Sequence, residues 1–465
     1  MSTASRVSGR LVWLLALCMS GGVFAQTPGN VPGSAAQIER GRYLATAADC
    51  IACHTVDFAK PFAGGVPIPT PFGQIIAPNI TPDPDTGIGS WTDDEFYRAM
   101  HEGTGKHGEN LYPAFPYDAF TKLSRDDVMA IKAWLFTLAP IRQVNPPSQL
   151  KFPFNQRWLL SGWKLLNFRK GEFQPDPARD AAWNRGAWLV EALAHCGTCH
   201  TPRNFSMGTD NRQKFGGGTV GSWQAHNITP DPVSGIGGWT DDELVAYMRT
   251  GTVEGKGGAA GEMGAAVEHS LSKLPDQDLR DIVTYLRTQR PIRDAAETRP
   301  RYSWGVASED VTAFRGNEDL DDPDGRAIYY GACASCHGMS GSGTGDQVFP
   351  SLFNSTTTGA VRADNLVMVI LNGVHRSAGG ETVSMQASDY ELSSAEVALV
   401  ANYVLKTYGN PVAATVDAAT VDVLRRNIGE QPLVAKLALP GMIAGGIVIV
   451  LLLIWLLSRR RRRSM

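Results

Sequence analysis

The apolar positions of this 465-residue chain fall into a frame that recurs three times. Gly41, Tyr43, Leu44 and Ala48 stand at helical spacing and run straight into Cys50. Residues 185–194 do the same ahead of Cys196, and residues 325–331 ahead of Cys333. Three longer amphipathic stretches follow at 123–138, 274–288 and 392–408. Each opens with a Leu, then Ser or Pro, then acidic residues, which is a helix-start signal. Each also carries one aromatic on its apolar face, Trp134, Tyr285 or Tyr403. The pattern predicts an opening and a closing helix in each of three units, with loops between them.

Two apolar runs stand outside this frame. Leu11 to Met19 follows Arg6 and Arg10 and precedes Val23-Phe24-Ala25, which reads as an export signal cleaved before Gln26. The run is too short to span a bilayer comfortably, and Leu17 is bulky where a lipoprotein signal wants a small residue before Cys18. Residues 437–457 hold no charge and would measure about 31 Å as a helix, enough to cross a membrane. Arg459 to Arg463 follow at once, which predicts a cytoplasmic C-terminus.

Between opening and closing helices the first two units share a repeat. Asn79-Ile80-Thr81-Pro82-Asp83-Pro84 returns as Asn227-Ile228-Thr229-Pro230-Asp231-Pro232, and Trp91-Thr92-Asp93-Asp94-Glu95 as Trp239-Thr240-Asp241-Asp242-Glu243. The Pro- and Gly-rich half is a turn-laden structural loop, and Thr-Asp-Asp-Glu caps a new helix. Trp91 and Trp239 are candidates to pack on a prosthetic group. The 49 Gly and 28 Pro of the whole chain agree with a loop-rich fold. With the seven Arg of the leader and tail set aside, 36 basic residues face 46 acidic ones, a body of net charge −10 that excludes nucleic-acid binding.

The chemistry sits at the end of each opening helix. Cys50-Ile51-Ala52-Cys53-His54, Cys196-Gly197-Thr198-Cys199-His200 and Cys333-Ala334-Ser335-Cys336-His337 are three copies of Cys-x-x-Cys-His. This is the attachment signal of c-type haem: two thiols add to the porphyrin vinyl groups and the adjacent imidazole binds the iron. Zinc would need a second ligand pair, and none follows any copy. A thioredoxin-like pair would need a βαβ setting rather than helix and loop. The remaining cysteine, Cys18, belongs to the leader, so three covalent haem c groups account for all the others.

A sixth ligand is expected from a Met shortly before each closing helix. Met385 and Met263 stand there in units three and two. In unit one Phe115 occupies the place, and Phe cannot bind iron; Met100, Met129, His101, His107 or no protein ligand remain open. At the repeat offset Met100 matches Met248, so both read as one helix's apolar face.

The fold class expected is mainly α, with three tandem class-I cytochrome c-like domains and one C-terminal transmembrane helix. The boundaries are 1–25 for the signal, 35–143 for domain 1, 144–178 for a connector that packs on its neighbours, and 179–295 for domain 2. A connector at 296–322, domain 3 at 323–409, a linker at 410–432, the membrane helix at 433–457 and a basic tail at 458–465 complete the chain.

The three motifs, the repeated Asn-Ile-Thr-Pro-Asp loop, Trp183-Asn184-Arg185-Gly186-Ala187 and Cys199-His200-Thr201-Pro202-Arg203-Asn204 together resemble one family. It is the tri-haem cytochrome c subunit of periplasmic membrane-bound dehydrogenases, those acting on alcohols, aldehydes, gluconate, sorbitol or fructose and the molybdenum hydroxylases. Phe115 departs from the alcohol dehydrogenase type, which has Met-Pro-Tyr after Pro-Ala. The resemblance implies a separate catalytic subunit carrying pyrroloquinoline quinone, flavin or molybdopterin. It also implies electron relay through the haems to ubiquinone or a terminal oxidase, at the bacterial inner membrane with the haems in the periplasm. No catalytic residue is expected in this chain. A haem enzyme or gas sensor using an open first haem, and an oxidase-associated subunit, are the alternatives.

Overall fold

Opening and closing helices cross at a glycine in all three units. In this computed structural model, which describes residues 33–308, 324–345, 348–388, 391–427 and 432–463, the opening helices are Ala35–Ala47, Ala181–Trp188 and Gly325–Ile328. The closing helices are Arg125–Leu135, Asp276–Leu286 and Ser394–Tyr408. A β-carbon on Gly41 would lie 1.8 Å from the carbonyl oxygen of Ala130, one on Gly186 1.9 Å from that of Asp281, and one on Gly325 2.1 Å from that of Leu399. Only glycine lets two helix backbones approach so closely. The next neighbours are the Cβ atoms of Trp134, Tyr285 and Tyr403, so the aromatics seen in the sequence pattern flank the crossings. The export signal expected at 1–25 and residues 309–322 of the second connector lie outside the described residues.

Two of the closing helices start at side-chain caps, and the second, Asp276–Leu286, follows Pro275 without one. Ser124 accepts from the amide of Asp127, and Ser393 forms a reciprocal capping box with Glu396. The repeated Thr-Asp-Asp-Glu does the same for the middle helices Asp93–Glu102 and Asp241–Thr250, both with full capping boxes and a C-terminal glycine at positive φ, Gly103 or Gly251. Their exposed first-turn acids then meet bases of the closing helix. Lys132 donates to Asp93 and the Trp91 carbonyl, and Arg287 to Asp241 and the Trp239 carbonyl. Met100 and Met248 lie buried in the shared core, on the apolar faces that the sequence assigned them.

The Asn-Ile-Thr-Pro-Asp loops are held by their own polar atoms. Asn79 Nδ2 donates to the Ile141 carbonyl at 2.7 Å, and Asn227 Nδ2 to that of Ile292 at 2.6 Å. Thr81 and Thr229, both fully buried, donate to the same asparagines' oxygens at 2.7 Å. Each loop is thereby strapped to the chain leaving the closing helix, a structural role.

Short antiparallel hairpins decorate the helical frame: Pro67–Thr70 with Gly73–Ile76, Gly218–Val220 with Trp223–Ala225, and Val374–Ala378 with Glu381–Met385. Residues of the stretch 144–178 pack on the first unit. Gln149–Leu150 adds a strand to the first hairpin, and helix Leu160–Asn167 seats Trp163 against Tyr117. The linker expected at 410–432 is different: Ala418–Arg425 is a helix capped by Asp417, with Val421 and Leu424 buried in the third unit's core. Val421, Val423 and Leu424 on an eight-residue segment are too weak a pattern to show this in the sequence. Among the described residues one helix is long and apolar enough to cross a membrane, Leu433–Trp455, within a helix that continues to Arg463.

The first two units share one apolar core, containing Leu44, Leu123, Ile131, Leu189, Leu279 and Ile282. The third has its own, around Tyr329, Val367, Val400 and Tyr408. Units one and two are also locked by a polar triad. Tyr43 donates to Asp278 Oδ2 at 2.5 Å, while Arg185 donates to Asp278 Oδ1 at 2.8 Å and to the Tyr43 hydroxyl at 2.6 Å. Arg376 of the third unit is buried and donates to the Thr250 carbonyl, the Ala259 carbonyl and Thr252 Oγ1 of the second.

Gly41→Val should therefore cost about 3 kcal/mol or more, since it forces backbone apart rather than side chains; an unchanged thermal midpoint would refute the tight crossing. Burial raises the Asp278 carboxyl, but Arg185 and Tyr43 outweigh it and hold its pKa below the usual carboxylate value. The triad's stabilisation is then complete above the ordinary carboxylate pKa and lost as pH falls through the lowered one. Asp278→Asn should remove about 1.5–3 kcal/mol at neutral pH and flatten that acid limb in pH-dependent urea unfolding.

Candidate haem sites

Each opening helix delivers its Cys-x-x-Cys-His motif to a short turn of helix. Cys50–His54 is one such turn, Gly197–His200 another and Ala334–His337 the third. In units two and three a wider π-type turn, Leu189–Leu193 or Tyr329–Cys333, leads into the motif. In units one and two the residue before the first cysteine, Asp49 or His195, takes a left-handed conformation that reorients the chain, with φ of 51° and 40°.

The histidines share one geometry. His54 Nδ1 is 2.8 Å from the Pro78 carbonyl, His200 Nδ1 2.6 Å from that of His226, and His337 Nδ1 2.9 Å from that of Pro350. A carbonyl only accepts, so Nδ1 must carry the proton and Nε2 keeps its lone pair. Burial adds to this by lowering all three pKa values, opposed in part by those same carbonyls, so the rings stay neutral. A neutral imidazole with Nδ1–H tied to the backbone is the state that binds iron through Nε2, and the second bond raises its basicity as a ligand.

None of the six cysteines in the motifs is in a disulfide. Burial pushes the Cys50 and Cys196 thiols up to about 12, which is far from the lowered value of a redox-active thiolate. Among the described residues no cluster of three or more His, Cys, Asp or Glu could hold a lone metal ion. Free paired thiols, a neutral imidazole poised on the next residue and no competing ligand set fit a covalently attached haem. They do not fit zinc or a dithiol.

The supporting polar atoms repeat as well. Thr55 Oγ1 accepts from the Phe62 amide at 2.9 Å and Thr201 Oγ1 from the Phe215 amide at 3.1 Å, each directly after its motif's histidine. The first two motifs are neighbours: Cys53 and Cys199 share an electrostatic environment with Asp49 and Glu262. His195 Nε2 reaches the Ala48 carbonyl at 3.4 Å, and Ser270 donates to that of Ala47 at 3.1 Å.

The sixth-ligand candidates lie in less uniform settings. Met263 was expected in a loop and stands instead in the first turn of helix Gly261–His269, partly buried against the shared core. Met385 ends the strand Glu381–Met385, opposite Val374. Ala260 opens the Met263 helix without a side-chain cap, so that helix has no strong start signal, whereas Gly379-Gly380 between the two strands of the Met385 hairpin is itself a hairpin signal. In unit one Phe115 packs on Phe120 with ring centroids 5.5 Å apart. His107 is exposed, and His101 stacks on Tyr97 at 4.8 Å with Lys170 and Glu172 of the connector nearby. Met129 is partly buried on the closing helix. Trp91 and Trp239 are both partly buried against the core, and Trp239 also makes edge contacts with Tyr247 and Tyr302.

Comparison with known proteins agrees with this chemistry. The cytochrome c family matches residues 38–139, and the family described as cytochrome c oxidase, cbb3-type, subunit III matches residues 321–404. The fructose dehydrogenase cytochrome subunit of Gluconobacter japonicus is 40% identical over 449 residues, 92% of this chain and 91% of that one. The gluconate 2-dehydrogenase cytochrome c subunit of Pantoea cypripedii is 35% identical, covering 84% of this chain and 90% of its own. The cytochrome c subunit of alcohol dehydrogenase (quinone) from Gluconacetobacter polyoxogenes is 32% identical, covering 88% and 87%. These near-full-length relatives favour neither a gas-binding enzyme nor an oxidase subunit. With haem-attachment motifs whose thiols and imidazoles are set for covalent haem c, the chain belongs to the family of cytochrome c electron-transfer subunits of membrane-bound dehydrogenases.

Proposed function

We propose that the chain is a tri-haem conduit, with class-I cytochrome c-like domains at 35–143, 179–295 and 323–409. Cys50 and Cys53, Cys196 and Cys199, and Cys333 and Cys336 each attach one haem, with His54, His200 and His337 as proximal ligands. One observation carries this reading: the same imidazole-to-carbonyl bond recurs at all three motifs, beside three glycine crossings of the same kind. Such a haem supplies an iron that takes up and gives back one electron. The protein's part is to hold each imidazole neutral and oriented and to exclude water with the apolar cores. Met263 and Met385 complete the second and third sites, where a thioether favours the ferrous iron.

The electron donor is a catalytic dehydrogenase subunit of the alcohol, aldehyde or sugar type, as the names of the relatives suggest. The acceptor is ubiquinone or a terminal oxidase. The helix Leu433–Trp455, about 34 Å long, anchors the chain in the inner membrane. The body stands in the periplasm, and Arg459 to Arg463 hold the C-terminus in the cytoplasm.

A pyridine haemochrome assay on the purified protein should give three haems per chain, and Cys196→Ala should give two. In complex with its dehydrogenase, substrate should reduce all three haems of the wild type. Two haems per wild-type chain, or reduction stopping at one, would overturn the relay. Met263→Ala and Met385→Ala should each keep the haem count, lower one midpoint potential and add one carbon-monoxide-reactive haem. A spectrum without a new carbon-monoxide complex would remove that Met from the ligand set.

A further inference from the structure

We propose that residues 151–170, together with the loop tip at Phe205, form a second membrane contact that lies in the headgroup region of the bilayer. The reading rests on the C-terminal helix being a membrane anchor.

Composition singles the segment out first. Residues 151–170 carry five basic residues, Lys151, Arg157, Lys164, Arg169 and Lys170, and no acidic one, in a body of net charge −10. They also carry Phe152, Phe154, Trp158, Trp163 and Phe168. Basic residues interleaved with aromatics and leucines are the composition of an interfacial segment rather than a solvated connector.

The structure decides which side chains face out. Lys164 donates to the carbonyls of Glu102 at 2.9 Å and Gly103 at 2.8 Å, and Trp163 meets Tyr117 edge-on, so helix Leu160–Asn167 is pinned by one face. The opposite side presents Trp158, Leu165 and Leu166, which are 67%, 76% and 69% exposed. A helix on a soluble surface would place polar residues there. Asn167 then fixes the neighbouring loop, accepting from Asn204 Nδ2 at 3.1 Å and Ser206 Oγ at 2.9 Å. Phe205, between those two, is 76% exposed.

Phe205 connects the patch to the anchor. It lines a wholly apolar groove with Val434, Leu437, Ala438, Gly441 and Met442, the first turns of the apolar helix. Where those turns enter the bilayer, the patch meets its surface. The cations suit anionic headgroups: Lys151 and Arg169 are exposed, Arg169 donating only to backbone carbonyls, although Lys170 is paired with Glu102. With two contacts, the body is fixed in orientation over the membrane instead of swinging on one helix.

The test uses the full-length holoprotein in nanodiscs of phosphatidylglycerol and phosphatidylcholine, with a phospholipid bearing a diazirine near the top of its acyl chain. After illumination, lipid adducts are expected on peptides from 151–170 and around Phe205, as well as on 433–455. The triple variant Trp158→Ser, Leu165→Ser, Leu166→Ser changes only exposed side chains. It should lose the 151–170 adducts and keep its haem content and the 433–455 adducts. Wild-type adducts confined to 433–455 would overturn the second contact and leave the anchor standing. Adducts on the patch without any on 433–455 would overturn the anchor reading. In the assembled complex, cross-links from the patch to the dehydrogenase subunit in place of lipid would also overturn the proposal, making this face a protein interface.

Discussion

A backbone carbonyl of each closing helix lies where the β-carbon of an opening-helix residue would stand, and glycine is the only residue that yields the space. That contact fixes each opening helix on its closing helix, and with it the chain that goes on to the Cys-x-x-Cys-His turn. The Cβ of one aromatic, Trp134, Tyr285 or Tyr403, lies next to that carbonyl at each crossing. The first-turn acids of the middle helices, joined to Lys132 and Arg287 on the closing helices, then fasten the loop side of each of the first two units to the same scaffold. Lys132 is buried and Arg287 largely buried, so only the acidic ends of these two ion pairs face solvent.

The imidazole-to-carbonyl bond translates that scaffold into chemistry. Pro78, His226 and Pro350 sit 24, 26 and 13 residues beyond their histidines, so the bond closes loops of different lengths onto the same end state. A proton fixed on Nδ1 leaves a lone pair on Nε2, which is the requirement for a proximal iron ligand. The first two motifs share one apolar core and an electrostatic environment, while the third has a core of its own and is joined to the second through Arg376 and the Gln224–Asn365 contacts. Arg376 links the chain just before the Met263 helix to the strand paired with Met385. A conduit needs such rigid spacing between its sites, and buried guanidinium bonds to backbone carbonyls supply it.

Much of this was legible in the residues themselves. Three Cys-x-x-Cys-His copies, the 148-residue repeat, the capping boxes and the aromatic on each closing helix are local signals, and each appears in the structure as the element expected. The apolar run near the C-terminus is equally local, because spanning length and lack of charge are properties of one continuous segment. Covalent haem chemistry and family membership followed from short motifs that depend on neighbours in sequence.

What the tertiary structure alone decided involves residues far apart in the chain. The carbonyl partners of the histidines carry no side-chain signal, since every residue has a carbonyl. The role of Gly41, Gly186 and Gly325 depends on which helix crosses them. The helix at 418–425 exists because Val421 and Leu424 find a core to enter, which its short pattern could not announce. Met263 stands in helix Gly261–His269, and Met385 is extended because its strand pairs with Val374–Ala378, where sequence position relative to the closing helix suggested only a loop. The outward face of Trp158, Leu165 and Leu166 is likewise fixed by Lys164 and Trp163 holding the other side. Local propensity and motif spacing determine which chemistry the chain carries; long-range packing determines which atoms meet, because only folding brings distant backbone groups within bonding distance.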